Sequence, residues 1–191
     1  DVDGSIVRGF KNINGANYYF APDGAMQTGF IPIDGKYYYF NGEGVMQVGW
    51  QTINGERFYF DPATGVMQTG LISDGTAQYY LSPNGVVTIG WQDVNGHRYH
   101  FDETTGAMSV NTIVTTNGVN FYVGMDGTMQ TGWQTIGGAM YYFQADGSMA
   151  VNVTLNVDGV DYLFDGNGIG TPIIAPVIPE VHVAPGVVPA M

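Results

Sequence analysis

One stretch of about twenty residues recurs along this chain, and that recurrence restricts the fold more than any other property. Residues 49–70 read GWQTINGERFYFDPATGVMQTG, and the same pattern restarts at Gly9, Gly29, Gly49, Gly70, Gly90, Asn111, Gly132 and Asn152, which makes eight copies. The run Asp3 to Gly9, DGSIVRG, matches the tail of a copy (compare DGAMQTG, Asp23 to Gly29), so residues 1–8 are expected to be the end of a preceding repeat. A unit this small cannot bury a face by itself. It must pack on its neighbours, and the usual allowance of residues per domain does not apply.

Each copy places a two-residue turn pair between two apolar-aromatic runs: Asn14-Gly15, Asp34-Gly35, Asn54-Gly55, Asn95-Gly96, Asn117-Gly118, Gly137-Gly138 and Asp158-Gly159. Such pairs tolerate the two consecutive positive φ angles of a type I′ turn and predict a β-hairpin. The fourth copy carries an extra Thr76, and moving its turn to Gly75-Thr76, a type II′ arrangement, restores the register. The predicted fold is all-β, an elongated β-solenoid of stacked two-stranded hairpins over 9–170.

Register assigns the faces, because directly opposed residues of a hairpin share a side and side chains alternate along each strand. In the third copy Ile53, Phe58 and Phe60 fall on one face, and Trp50, Thr52, Arg57 and Tyr59 on the other. The Phe60 column (Phe20, Phe40, Phe60, Leu81, Phe101, Val123, Phe143, Phe164) is apolar throughout and is predicted core. The Phe58 column is Tyr or Phe in every copy, on the same face. The Met67 column is Met in six copies, with Val87 and Ile169 in the others, and suits packing between repeats, where a flexible thioether fills gaps.

The second face carries opposed pairs: Phe10–Tyr19, Phe30–Tyr39, Trp50–Tyr59, Leu71–Tyr80, Trp91–His100, Ile113–Tyr122, Trp133–Tyr142 and Thr154–Leu163. All three tryptophans lie in this column. Flat rings beside a hydroxyl suit the apolar faces of sugars and, equally, a quaternary ammonium. The same rings would also serve to cover the flank of the next repeat, and both uses stay open. The ligand-contacting residues predicted here are Trp50, Tyr59, Trp91, His100, Trp133, Tyr142, Phe30, Tyr39, Phe10 and Tyr19. The neighbouring position varies (Asn17, Tyr37, Arg57, Gln78, Arg98, Asn120, Met140, Asp161) and is expected at the surface, where it would tune ligand choice from copy to copy.

Charge excludes some partners. With 17 Asp and Glu against five Lys and Arg, the chain has a net charge of −12 and no basic cluster, so neither nucleic acid nor an anionic membrane surface is a suitable partner. No apolar run is long enough to span a bilayer, and no signal peptide is evident. There are no cysteines, hence no disulfides or thiolate metal sites. His97, His100 and His182 lack zinc-site spacing and are expected as surface histidines. Asp61, Asp102 and Glu103 belong to turn segments. The Asp-Gly recurrences serve turns and lack the calcium-binding nonapeptide pattern. No nucleophile elbow or phosphate loop occurs. These residues predict neither catalysis nor a cofactor nor a metal.

The stretch GWQTINGERFYFDPATGVMQTGL strongly resembles the cell-wall-binding or choline-binding repeat superfamily, and the likeness covers residues 3–170. Its relatives include the glucan-binding repeats of secreted glucosyltransferases and the receptor-binding repeats of large clostridial toxins. The resemblance implies a secreted or cell-surface module. A choline site of this family would use the Gly-Trp tryptophan, here Trp50, Trp91 or Trp133, with a nearby tyrosine such as Tyr59 or Tyr142. Its second tryptophan would fall at the Arg57 position, where only Tyr37 is aromatic. The pattern is thus closer to the glucan-binding and toxin types. It implies a non-catalytic anchor on polysaccharide or cell-wall glycan, with choline of teichoic acids, or a spacer role, as the alternatives. Residues 171–191 hold five prolines and predict an extended tail, either a cap on the array or a lead into a further domain.

Overall fold

A computed structural model of the chain describes residues 5–174. They form seventeen strands and no helix. The strands are β1 (Gly9–Ile13), β2 (Ala16–Phe20), β3 (Gly29–Ile33), β4 (Lys36–Phe40), β5 (Gly49–Ile53), β6 (Glu56–Phe60), β7 (Gly70–Ser73), β8 (Gln78–Leu81), β9 (Gly90–Val94), β10 (His97–Phe101), β11 (Thr112–Thr116), β12 (Val119–Val123), β13 (Gly132–Ile136), β14 (Ala139–Phe143), β15 (Val153–Val157), β16 (Val160–Phe164) and β17 (Gly170–Pro172). Successive strands pair as antiparallel hairpins, and β17 adds a third strand to the last. The chain divides into two compact units, one of residues 1–116 with 122–129, the other of 117–121 with 130–191.

The turns follow from the residues chosen for them. Asn14, Asp34, Asn54, Asn95, Asn117 and Asp158 have φ between 50° and 54°, each followed by a left-handed glycine, as type I′ geometry requires. In the fourth copy Gly75 has φ 94° and Thr76 is not left-handed, which matches the II′ reading. The register Leu71↔Tyr80 is kept. The first residue of every copy is also left-handed, including Asn111 and Asn152 at φ 48°. This explains why asparagine, and no other side chain, replaces glycine there.

The predicted core column is buried from Phe40 onward, while Phe20 in the first copy is half-buried. Phe40, Phe60, Leu81, Phe101, Val123, Phe143 and Phe164 have no exposed surface. Each chain segment after a hairpin then folds back, so that the methionine column bridges the core column, as in Phe60↔Met67 and Phe143↔Met149.

In the first unit the stack is held by main-chain bonds between copies. The amide of Met46 donates to the carbonyl of Asn17, Met67 to Tyr37, Val87 to Arg57, Met108 to Gln78 and Met129 to Arg98, all at 2.8–2.9 Å. In the second unit Met149 donates likewise to Asn120. The methionines then lie on the loop glycine of the following copy. A Cβ on Gly44, Gly65, Gly85 or Gly127 would stand 2.4–2.6 Å from the sulfur of Met26, Met46, Met67 or Met108. Ile6 occupies the same place over Gly24. At the other end Gly170–Pro172 pairs with β16, and the amide of Ile173 donates to Asp161. The segment read as a tail therefore begins as an edge strand. Its remainder, residues 175–191, and the N-terminal residues 1–4 lie outside the described residues.

Candidate ligand-binding grooves between hairpins

Register alone gives the neighbours within a hairpin, and these stand as expected: Trp50 opposes Tyr59 at 4.8 Å between ring centroids, Phe30 opposes Tyr39 at 5.0 Å, Phe10 opposes Tyr19 at 5.0 Å, Trp133 opposes Tyr142 at 5.3 Å and Trp91 opposes His100 at 5.1 Å. Stacking adds a third ring, which strand alternation puts on the opposite face of its own hairpin. At four joints the Phe58-column ring of the following copy meets the second-face ring of the copy before: Phe10 with Tyr38 at 5.2 Å, Phe30 with Phe58 at 5.1 Å, Trp50 with Tyr79 at 4.7 Å and, in the second unit, Trp133 with Tyr162 at 4.7 Å. At these joints the hairpins thus meet front to back. The signal was present, since the Phe58 column is aromatic in all eight copies while the buried Phe60 column accepts Leu and Val.

The ring column is in consequence half used by packing. Trp50, Tyr59, Trp91, Trp133, Tyr142, Tyr39 and Tyr19 are half-buried. Phe10 and Phe30 are exposed at 45% and 38%. His100 is buried, against the expectation of a surface histidine. It opposes Trp91 on the second face, its Nδ1 lies 2.9 Å from the Ser109 hydroxyl, and burial lowers its pKa, opposed by Glu103 and Asp102. His97 is exposed.

The indole N–H groups of Trp50 and Trp91 tie these tryptophans to the following copy. Trp50 Nε1 donates to Asp74 Oδ2 at 2.9 Å and Trp91 Nε1 to Thr116 Oγ1 at 3.0 Å. The bond from Trp50, with others from Thr76 and Ala77, holds the Asp74 carboxyl far below the ordinary carboxylate range. Burial, with the Asp74 charge beside it, raises the Tyr79 hydroxyl.

Where a groove is left open, its lining is mixed. A cavity of about 480 Å³ in the first unit is bounded by Phe30 and Tyr37 of the second copy, Glu56, Phe58 and Met67 of the third, and Pro83, Asn84 and Val86 of the fourth. It presents three rings and one carboxylate and contains no basic side chain. The variable position does reach the surface, with Asn17, Tyr37, Gln78, Arg98, Met140 and Asp161 exposed. Arg57 is half-buried, its guanidinium 4.5 Å over the Trp50 ring. Among the described residues no three His, Cys, Asp or Glu side chains converge as metal ligands, and no helix is long and apolar enough to cross a membrane.

Stacked hairpins joined by aromatic grooves define a class of repeat binding module. The choline-binding repeat model matches residues 7–48, 27–69, 48–89 and 130–169, and the putative cell wall binding repeat model matches 89–108. The chain belongs to the choline-binding repeat family.

Among solved structures it is similar to CbpJ of Streptococcus pneumoniae (32% identity, TM-score 0.77), the match covering 86% of this chain and 58% of that one. It is also similar to choline binding protein F of Streptococcus pneumoniae (29% identity, TM-score 0.75, 86% of this chain and 57% of that one). The same protein in complex with ipratropium matches at 28% identity with a TM-score of 0.73, over 86% of this chain and 59% of that one. The chain therefore spans a little over half the length of these relatives. The choline-binding domain of CbpL from Streptococcus pneumoniae, 23% identical with a TM-score of 0.63 over 86% of this chain and 87% of that one, shares the fold. No curated protein matches the sequence.

Proposed function

We propose that this chain is a non-catalytic attachment module that holds a secreted or surface protein to the cell wall, with a choline-type quaternary ammonium seated in the groove of Phe30, Tyr37 and Phe58. The observation that carries this reading is the composition of that groove. Ring faces attract a cation through their quadrupole, and the Glu56 carboxylate adds charge of the right sign. A trimethylammonium group has no hydrogen bonds to satisfy, so a groove of rings and methionine accepts it without leaving a polar group unpaired. Family membership and the complex of choline binding protein F with ipratropium support the same chemistry.

The choline reading takes precedence over neutral glycan at this groove because of Glu56. The exposed faces of Phe10 and Phe30, with the half-buried Trp50, Trp91, Trp133 and their partners Tyr59, His100 and Tyr142, favour a second contact, with the sugar chain that carries the choline. Several weak sites on one polymer gain affinity by avidity, about a hundredfold or more when the spacing permits.

The test is retention on a quaternary-ammonium resin at moderate salt and displacement by free choline, beside a pull-down on choline-bearing and choline-free cell-wall polysaccharide. Retention that choline displaces supports the reading. Flow-through from the resin together with equal pull-down on both polysaccharides removes the choline part and leaves the glycan part.

A further inference from the structure

Five Lys and Arg side chains occur in the whole chain, and none lies beyond Arg98. Two of the five occupy the same repeat position, cross-strand and diagonal to a tryptophan, and both extend over it. The Arg57 guanidinium carbon is 4.5 Å from the Trp50 ring centroid and that of Arg98 is 5.2 Å from Trp91. Arg57 reaches further, its Nη1 donating at 2.6 Å to the carbonyl of Thr105 in the loop of the fifth copy. Shifting each of these residues back by one copy gives Phe30 for Trp50, Tyr37 for Arg57 and Asn84 for Thr105, which are three residues of the open cavity. The position that is empty between Phe30, Tyr37 and Asn84 is thus crossed, one copy further on, by a guanidinium running from ring to carbonyl.

We propose that Arg57 and Arg98 are built-in occupants of the cation position over Trp50 and Trp91, closing those two grooves to organic cations and leaving the Phe30–Tyr37 groove and the Trp133 ring as the places where one can bind. At Trp50 an arriving ammonium would have to displace a tethered guanidinium, and over both rings it would meet a positive charge at short range. At Trp133 the corresponding residue is Met140, exposed and uncharged, and the second unit contains neither Lys nor Arg. The two arginines are therefore specificity-determining residues. They set how many of the tryptophan-bearing copies accept a cation. This inference takes its ligand class from the proposed choline reading, but its test reads the rings directly.

The experiment is quenching of tryptophan fluorescence in the full chain by N-methylpyridinium, a quaternary cation, measured against acrylamide, which is neutral and reports exposure alone. The ratio of the two quenching constants isolates the effect of charge. Arg57→Gln and Arg98→Gln, each checked for an unchanged circular dichroism spectrum, are expected to raise that ratio by roughly two- to fivefold for the uncovered ring. Met140→Arg is expected to lower it through Trp133. An unchanged ratio in both glutamine variants, or a rise matched by acrylamide, overturns the proposal. So does a Met140→Arg variant with the ratio of the unsubstituted chain. Failure of choline to elute the chain from the resin, with the quenching pattern intact, would instead count against the choline reading and leave the shielding by the arginines standing.

Discussion

The stack rests on methionines lying over glycines, and Gly85→Ala tests that contact at one joint. Gly85 sits at φ +81°, and its added Cβ would stand 2.6 Å from the sulfur and 2.8 Å from the terminal methyl of Met67. Two penalties follow. The left-handed backbone costs an alanine about 1–2 kcal/mol. Overpacking adds about 1–3 kcal/mol, nearer the lower figure because a thioether can turn aside. The expected loss is about 2–3 kcal/mol. Met67→Ala alone, which removes a half-buried side chain, should cost about 2 kcal/mol. In the Met67→Ala background the steric part disappears, so Gly85→Ala should then cost only the backbone share, about 1–2 kcal/mol. Urea unfolding of the four proteins, followed by circular dichroism, gives the double-mutant cycle, with an expected coupling of about 1 kcal/mol. Equal costs for Gly85→Ala in both backgrounds would refute the contact. A cost under about 0.5 kcal/mol in the native background would refute the left-handed geometry as well.

Two further outcomes follow from burial. Phe60→Ala empties a site with no exposed surface and should lower stability by about 3–5 kcal/mol, read as a fall in urea midpoint, whereas Phe10→Ala, at 45% exposure, should cost much less. His100 is held neutral by burial, so the unfolded chain binds its proton more readily. Stability is then full above the unfolded value of about 6.5 and declines as pH falls from there through the lowered folded value. His100→Tyr, the residue of six other copies, should flatten the difference in melting temperature between pH 7.5 and pH 5.5, and an unchanged difference would exclude His100 as its source.

Much of this architecture is legible from residues alone, and the boundary of what is legible has a physical cause. Asn-Gly and Asp-Gly pairs dictate the turns. The turns dictate register, and register with strand alternation dictates which side chains share a face. This is why the Trp50–Tyr59 opposition, the buried Phe60 column and the shifted turn at Gly75-Thr76 all follow from the sequence. Contacts between copies depend on how one hairpin is set against the next, and no local rule states that. Hence the approach of Tyr79 to Trp50 and of Tyr162 to Trp133 is visible only in the structure, as are the burial of His100 and the guanidinium of Arg57 over an indole. The methionine column is the partial exception. Its regularity pointed to packing between repeats, but its partners, the loop glycines of the following copy, emerge only from the stack.

The central claim is that the groove of Phe30, Tyr37 and Phe58 holds an organic cation, and a calorimetric titration of the full chain with choline tests it most directly. Tyr37 is half exposed and opposes Pro32 across the hairpin, so Tyr37→Ala removes one wall of the cavity while leaving the buried column untouched. The account predicts saturable binding to the unsubstituted chain and an affinity lower by about two- to thirtyfold in Tyr37→Ala, the range expected for losing one ring–cation contact. It also predicts a similar loss in Glu56→Gln that diminishes at high salt. Saturable binding that is indifferent to both substitutions, or no binding heat at millimolar choline, would contradict it.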